Sequence, residues 1–228
     1  MRSSIVLVFL IWFFSGNLFA QEINQKDVNG LRQGSWIKKY PGTQQLRYEG
    51  YFKDNKEVGT FNFYCETCGI QPYCVKEFKN DALVDVRYYS SSGDLVSTGM
   101  MQGKQRINQW LTFHENSTNI MTREFYVAGK LQGEITTYYL TGKIIETTHY
   151  LNGLKEGLSF YYSPEGITLK ELSYKNDLLH GPAVYYSTKG LLTMKGDYRN
   201  GVNYGVWNYY KEGRFLFDET FPRPEDKN

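Results

Sequence analysis

Cys65, Cys68 and Cys74 fall within CETCGIQPYC and form the densest group of reactive side chains in the sequence. A CxxC pair with one further cysteine and no histidine nearby offers three of the four ligands of a tetrahedral zinc site, so no metal is expected. A redox-active CxxC needs the N-terminus of a helix to stabilise its thiolate, and no helical period surrounds this one. In an oxidising compartment the expected chemistry is a single disulfide closing the loop, with one thiol left over. Cys65 and Cys74 are the favoured pair over Cys68 and Cys74, because they flank the Gly69/Pro72 turn at strand-like positions.

The remaining candidates point away from catalysis. His114, His149 and His180 are the only histidines, and each occupies a structural slot: beside Phe113, before Tyr150 and before Gly181. No GxSxG, HExxH or GxxxxGK[ST] is present, so nucleophile, metalloprotease and phosphate-cradling signatures are all missing. Glu165 and Glu212 fall in turns, where solvation accounts for them. The chain is expected to be non-enzymatic and to need no cofactor. Asn116-Ser117-Thr118 is a formal glycosylation sequon on a turn, relevant only in a eukaryotic secretory host.

Composition and the N-terminus set the compartment. Arg2, the apolar run from Ile5 to Phe14 and the segment Ser15 to Ala20 resemble a Sec signal peptide over residues 1–20, with cleavage expected after Ala20. The run is about half of the roughly 20 residues a membrane span needs. Export to the periplasm, the cell surface or the medium follows as the expectation. Removing Arg2 leaves 25 basic side chains, 26 less one, against 24 acidic ones. That balance is nearly neutral, and the Lys and Arg are scattered among Glu and Asp, so nucleic acid is not an expected partner.

What must position these residues is a repeat. Apolar anchors recur at Phe52, Phe78, Met100, Tyr126, Tyr150, Tyr174 and Tyr198, with differences of 26, 22, 26, 24, 24 and 24. Each is followed by a turn pair ending at Asn55, Asp81, Gly103, Gly129, Gly153, Asp177 or Gly201. Such pairs supply positive φ at low steric cost, so one hairpin turn is written repeatedly. Linker glycines Gly133, Gly157, Gly181 and Gly205 keep the same 24-residue step. A period of this length indicates a repeat array, in which each unit contacts mainly its neighbours.

Within Gly181 to Tyr204 the order is a short strand PAVYY, the turn STKG, a second strand LLTMKGDY and then RNG. Alternation places Lys170, Leu172 and Tyr174 on one face and Leu169, Glu171 and Ser173 on the other. Gly50 and Gly196 lie two residues before their anchors, where a missing side chain either lets a cross-strand ring rest on the backbone or marks a bulge. The expected fold is all-β: an elongated antiparallel meander of seven to eight hairpins of about 24 residues. It is expected to occupy residues 30–221, after a short segment 21–29 and before a disordered tail, 222–228.

YEGYFKDNKEVGTFNFY, from Tyr48 to Tyr64, and MKGDYRNGVNYGVWNYYKEG, from Met194 to Gly213, resemble MORN repeats in the bacterial variant known for YwqK-type antitoxin-like proteins. NGLKEG, NDLLHG and NGVNYG fit that family's linking segment. Between Asp81 and Ile120 the pattern departs: Asp85 and Ile107 stand where linker glycines are expected, and HENST replaces the usual Gly turn. The resemblance implies an elongated meander that holds partners together or docks onto a surface, and implies no activity.

An exported protein-protein interaction scaffold is therefore the expected function. Alternatives are a surface for carbohydrate or lipid headgroups and an exported antitoxin or immunity-type protein. Trp36, Trp110 and Trp207 each lie two residues after a unit start and are the candidate binding aromatics, although the resemblance also makes them core positions.

Overall fold

A computed structural model describes residues 22–79 and 82–223. The proposed signal peptide lies outside the described residues, as does the tail beyond Arg223. Among the described residues there are 18 strands in one antiparallel sheet, a sequential meander of hairpins. The short β1 (Gln25–Lys26) pairs with the start of β2 (Arg32–Lys39), and β2 begins the array.

The hairpins follow in order. They are β2 with β3 (Leu46–Lys53), β4 (Lys56–Phe63) with β5 (Cys74–Phe78), β6 (Leu83–Tyr89) with β7 (Leu95–Gln102), and β8 (Gln105–Phe113) with β9 (Ile120–Val127). Next, β10 (Lys130–Leu131), which pairs with β9, leads into β11 (Gly133–Tyr138), which pairs with β12 (Ile144–Leu151). The last three are β13 (Leu154–Tyr162) with β14 (Thr168–Lys175), β15 (Leu178–Tyr186) with β16 (Leu192–Arg199), and β17 (Val202–Lys211) with β18 (Arg214–Phe221).

Turn chemistry explains the regularity. Asp54/Asn55, Ala128/Gly129, Asn152/Gly153, Asn176/Asp177 and Asn200/Gly201 all have positive φ at both positions, the type I′ geometry that suits the right-handed twist of a hairpin. The second residue of each donates its N–H to a carbonyl of the preceding unit, from Asn55 to Arg32 at 3.1 Å through Gly201 to Leu179 at 2.8 Å. On the opposite rim, Tyr40 Oη donates to the Tyr64 carbonyl (2.8 Å) and Tyr139 Oη to that of Tyr162 (3.0 Å). Both rims are thus tied unit to unit, as a nearest-neighbour array requires.

Two lateral rows make the core. In the first, each anchor ring faces a linker residue: Phe52 opposite Gly34, Phe78 opposite Gly59, Tyr126 opposite Asn108, Tyr150 opposite Gly133, Tyr174 opposite Gly157, Tyr198 opposite Gly181 and Phe221 opposite Gly205. Phe221 supplies an eighth anchor. The third unit corrects the expected assignment. Its anchor is Met101 opposite Val84, whereas Met100 pairs with Asp85 and so projects from the other face. The turn moves with it, to Gly103 and Lys104 between β7 and β8, with positive φ at Gly103. Asn108, at φ 57°, takes the linker-glycine place instead of Ile107.

The second row runs one residue per hairpin through Trp36, Phe61, Val86, Trp110, Ile135, Ser159, Ala183 and Trp207, at steps of 25, 25, 24, 25, 24, 24 and 24. Large residues here meet glycine on the strand before: a methyl group added at Gly50, Gly99 or Gly196 would overlap the rings of Phe61, Trp110 and Trp207. Small residues meet larger ones, as in Ser159 opposite Thr148 and Ala183 opposite Leu172. The register of β3 with β4 and of β16 with β17 also shifts at these glycines, so the ring-on-backbone and bulge alternatives both hold.

Candidate functional site

Trp110 and Trp207, at 1% and 0% exposure, are core residues and cannot stack on a ligand. The cause is the pair of glycines beneath them, which let each indole lie flat on the strand while its Nε1–H donates to a backbone carbonyl, Met100 and Asp197 respectively, both at 3.0 Å. Trp36 is half-buried and packs edge-on against Phe52, donating to the Gln33 carbonyl at 3.1 Å. Sequence reasoning placed all three correctly in the repeat but could not separate ring against solvent from ring against glycine.

The cysteines are also corrected. Cys65 joins Cys68, with Cα atoms 5.4 Å apart, and Cys74 is a free thiol. The register of β5 explains it: Cys74 sits opposite Phe63 and Tyr88 and is buried among Val84, Val86 and Trp110, facing inward while Cys65 and Cys68 remain in the loop. Burial pushes the Cys74 thiol upward. The Gln45 amide braces the stapled loop through the Cys65 and Gly69 carbonyls at 3.1 and 2.6 Å.

Phenols make up much of the aromatic face. Burial, followed by hydrogen bonding to Tyr174, pushes Tyr161 strongly upward; burial and the hydroxyl of Tyr198, 3.0 Å away, do the same to Tyr185. Beside them Lys155 pairs with Glu146 at 3.8 Å and lies over the Tyr174 ring. These groups cement the sheet, and among the described residues no three of His, Cys, Asp and Glu gather in a metal-binding cluster.

The rim that carries the I′ turns is different. Residues flanking successive turns pair as Val127 with Lys130, Leu151 with Leu154, Lys175 with Leu178 and Arg199 with Val202. Every one is exposed, the five apolar ones by 42–65%. Lys53 with Lys56 and Gln102 with Gln105 hold the same stations in earlier units. The result is an apolar and basic stripe with no carboxylate at these positions. Its signal was present in the sequence, as residues 127, 151, 175 and 199 and residues 130, 154, 178 and 202 at 24-residue steps.

The opposite rim carries a groove of about 580 Å³ beside the turn after β8, with Asp94, Leu95, Phe113, Asn116, Thr118 and Asn119 in its wall. No protein-family model matches this chain, and no curated protein matches it.

Proposed function

We propose that this chain is an exported, non-catalytic repeat scaffold of the MORN type that docks a partner protein along the rim of its I′ turns. The observation that carries the reading is the stripe of Val127, Leu151, Leu154, Leu178 and Val202 flanked by Lys130, Lys175 and Arg199. Aliphatic groups held by paired strands lose little freedom on binding, and the cations select an acidic, partly apolar counterpart. Export rests on the signal-like residues 1–20.

The test is capture from the native envelope with the full mature chain and with a Leu151→Glu/Leu178→Glu/Val202→Glu variant. A partner held by the first and released by the second, with unchanged circular dichroism, supports the docking rim. Identical captures would remove it.

A second reading, anionic lipid headgroups, is favoured by the stripe's own charge pattern, in which exposed Lys and Arg alternate with exposed aliphatics. Pelleting with anionic vesicles but not with zwitterionic ones, abolished by the same variant, would support it over a protein partner.

A further inference from the structure

A groove lies between the turn before β7 and the turn after β8, on the rim opposite the I′ turns. At about 580 Å³ it falls within the roughly 300–1,000 Å³ span of small-ligand clefts. Its apolar wall is the half-buried Phe113 ring with Leu95. Asp94, from the turn before β7, and Asn116, Thr118 and Asn119, from the turn after β8, supply the polar wall.

Asp94 and Asn119 are held in place by hydrogen bonds, and all four polar groups keep bonding capacity. Asp94 Oδ2 accepts from Ser92 Oγ at 2.6 Å and from Ser90 Oγ at 3.5 Å, and its N–H donates to Ser90 Oγ at 3.1 Å. Its Oδ1 makes no hydrogen bond among the described residues. Asn119 is anchored by Nδ2 donating to the Leu140 carbonyl at 2.8 Å and by its N–H donating to Ser117 Oγ at 3.0 Å, leaving its Oδ1 as an acceptor. The Asn116 carboxamide and the Thr118 hydroxyl have no hydrogen bond among the described residues, and Asn116 is set at φ 52° by the turn.

We infer that this groove binds a short neutral saccharide. Sugar hydroxyls both donate and accept, which suits a wall of acceptors (Asp94 Oδ1, Asn119 Oδ1) mixed with groups that donate (Asn116 Nδ2, Thr118 Oγ1). The C–H face of a pyranose ring suits Phe113 and Leu95. A phosphate or an acidic sugar would meet the Asp94 carboxylate without a compensating cation in this wall, and a hard metal ion would need six or more oxygens in one shell.

The experiment is a glycan array of neutral and anionic oligosaccharides probed with the full mature chain, each hit then titrated by calorimetry. Binding of at least one neutral saccharide is expected, weakened about tenfold or more by Asp94→Ala and by Asn116→Ala, both exposed positions, because each deletes a polar contact that nothing replaces. The Leu151→Glu/Leu178→Glu/Val202→Glu variant should bind the same saccharide unchanged, which separates this site from the docking rim. Hits confined to anionic glycans, no neutral hit, or neutral binding that survives both Asp94→Ala and Asn116→Ala would each overturn the proposal.

Discussion

Gly196 shows how much a single missing side chain controls. Its Cα hydrogen lies where a methyl group would enter the Trp207 indole, and the same is true of Gly50 under Phe61 and Gly99 under Trp110. Gly196→Ala is therefore expected to destabilise by about 1–3 kcal/mol, measured by urea unfolding, despite replacing glycine in a strand with a better strand former. Ser159 is the reverse case. Its hydroxyl is buried with no partner, so Ser159→Ala should stabilise by about 1 kcal/mol, and a loss would mean the hydroxyl has a hidden role.

Tyr64 links residue and pH: burial, then the Glu49 carboxylate that accepts its hydrogen bond at 2.6 Å, push the phenol up to about 12 from an ordinary 10.0. A pKa raised on folding means that the neutral form is preferred in the native state. The contribution is present in full below about pH 10 and disappears as the pH rises through about 12. The alkaline loss of stability across that window should be shallower in Tyr64→Phe than in the parent.

At the scale of the element, the hairpin is a unit that cannot shelter its own rings. Tyr174 has strands on both sides, whereas Phe221 ends the array on β18, which pairs only with β17 among the described strands. Tyr174→Ala should cost about 3–5 kcal/mol and Phe221→Ala clearly less. Equal losses in chemical denaturation would contradict neighbour-by-neighbour stability. The stapled loop between β4 and β5 gives a chemical test: no thiol should react in the native protein, one after denaturation alone and three after denaturation with reduction, counted by intact mass.

Over the whole molecule the core is not one continuous body. One cluster gathers Cys74, Val84, Val86 and Trp110, another Leu172, Ala183 and Trp207. Between them the buried positions are Thr136, Thr148, Ser159 and Ser163, which bury less apolar area per strand. Hydrogen exchange should consequently show lower protection in β11 to β13 than in β6 to β8 or β15 to β17. Uniform protection would indicate one cooperative unit.

Much of this architecture was legible from residue types alone. Turn pairs such as Asn152-Gly153 and Asn200-Gly201 specify I′ hairpins by local sterics, and their even spacing implies a meander, because a short turn permits nothing but antiparallel neighbours. Register is another matter. A one-residue displacement moved the third anchor from Met100 to Met101, and inward rotation of Cys74 left Cys65 to bond with Cys68. Whether Trp207 met solvent or Gly196, and whether Asp94 and Asn116 shared a groove, depended on which strands lay side by side. Local conformational preference is written in consecutive residues, whereas burial and the meeting of distant side chains arise only when the strands have paired.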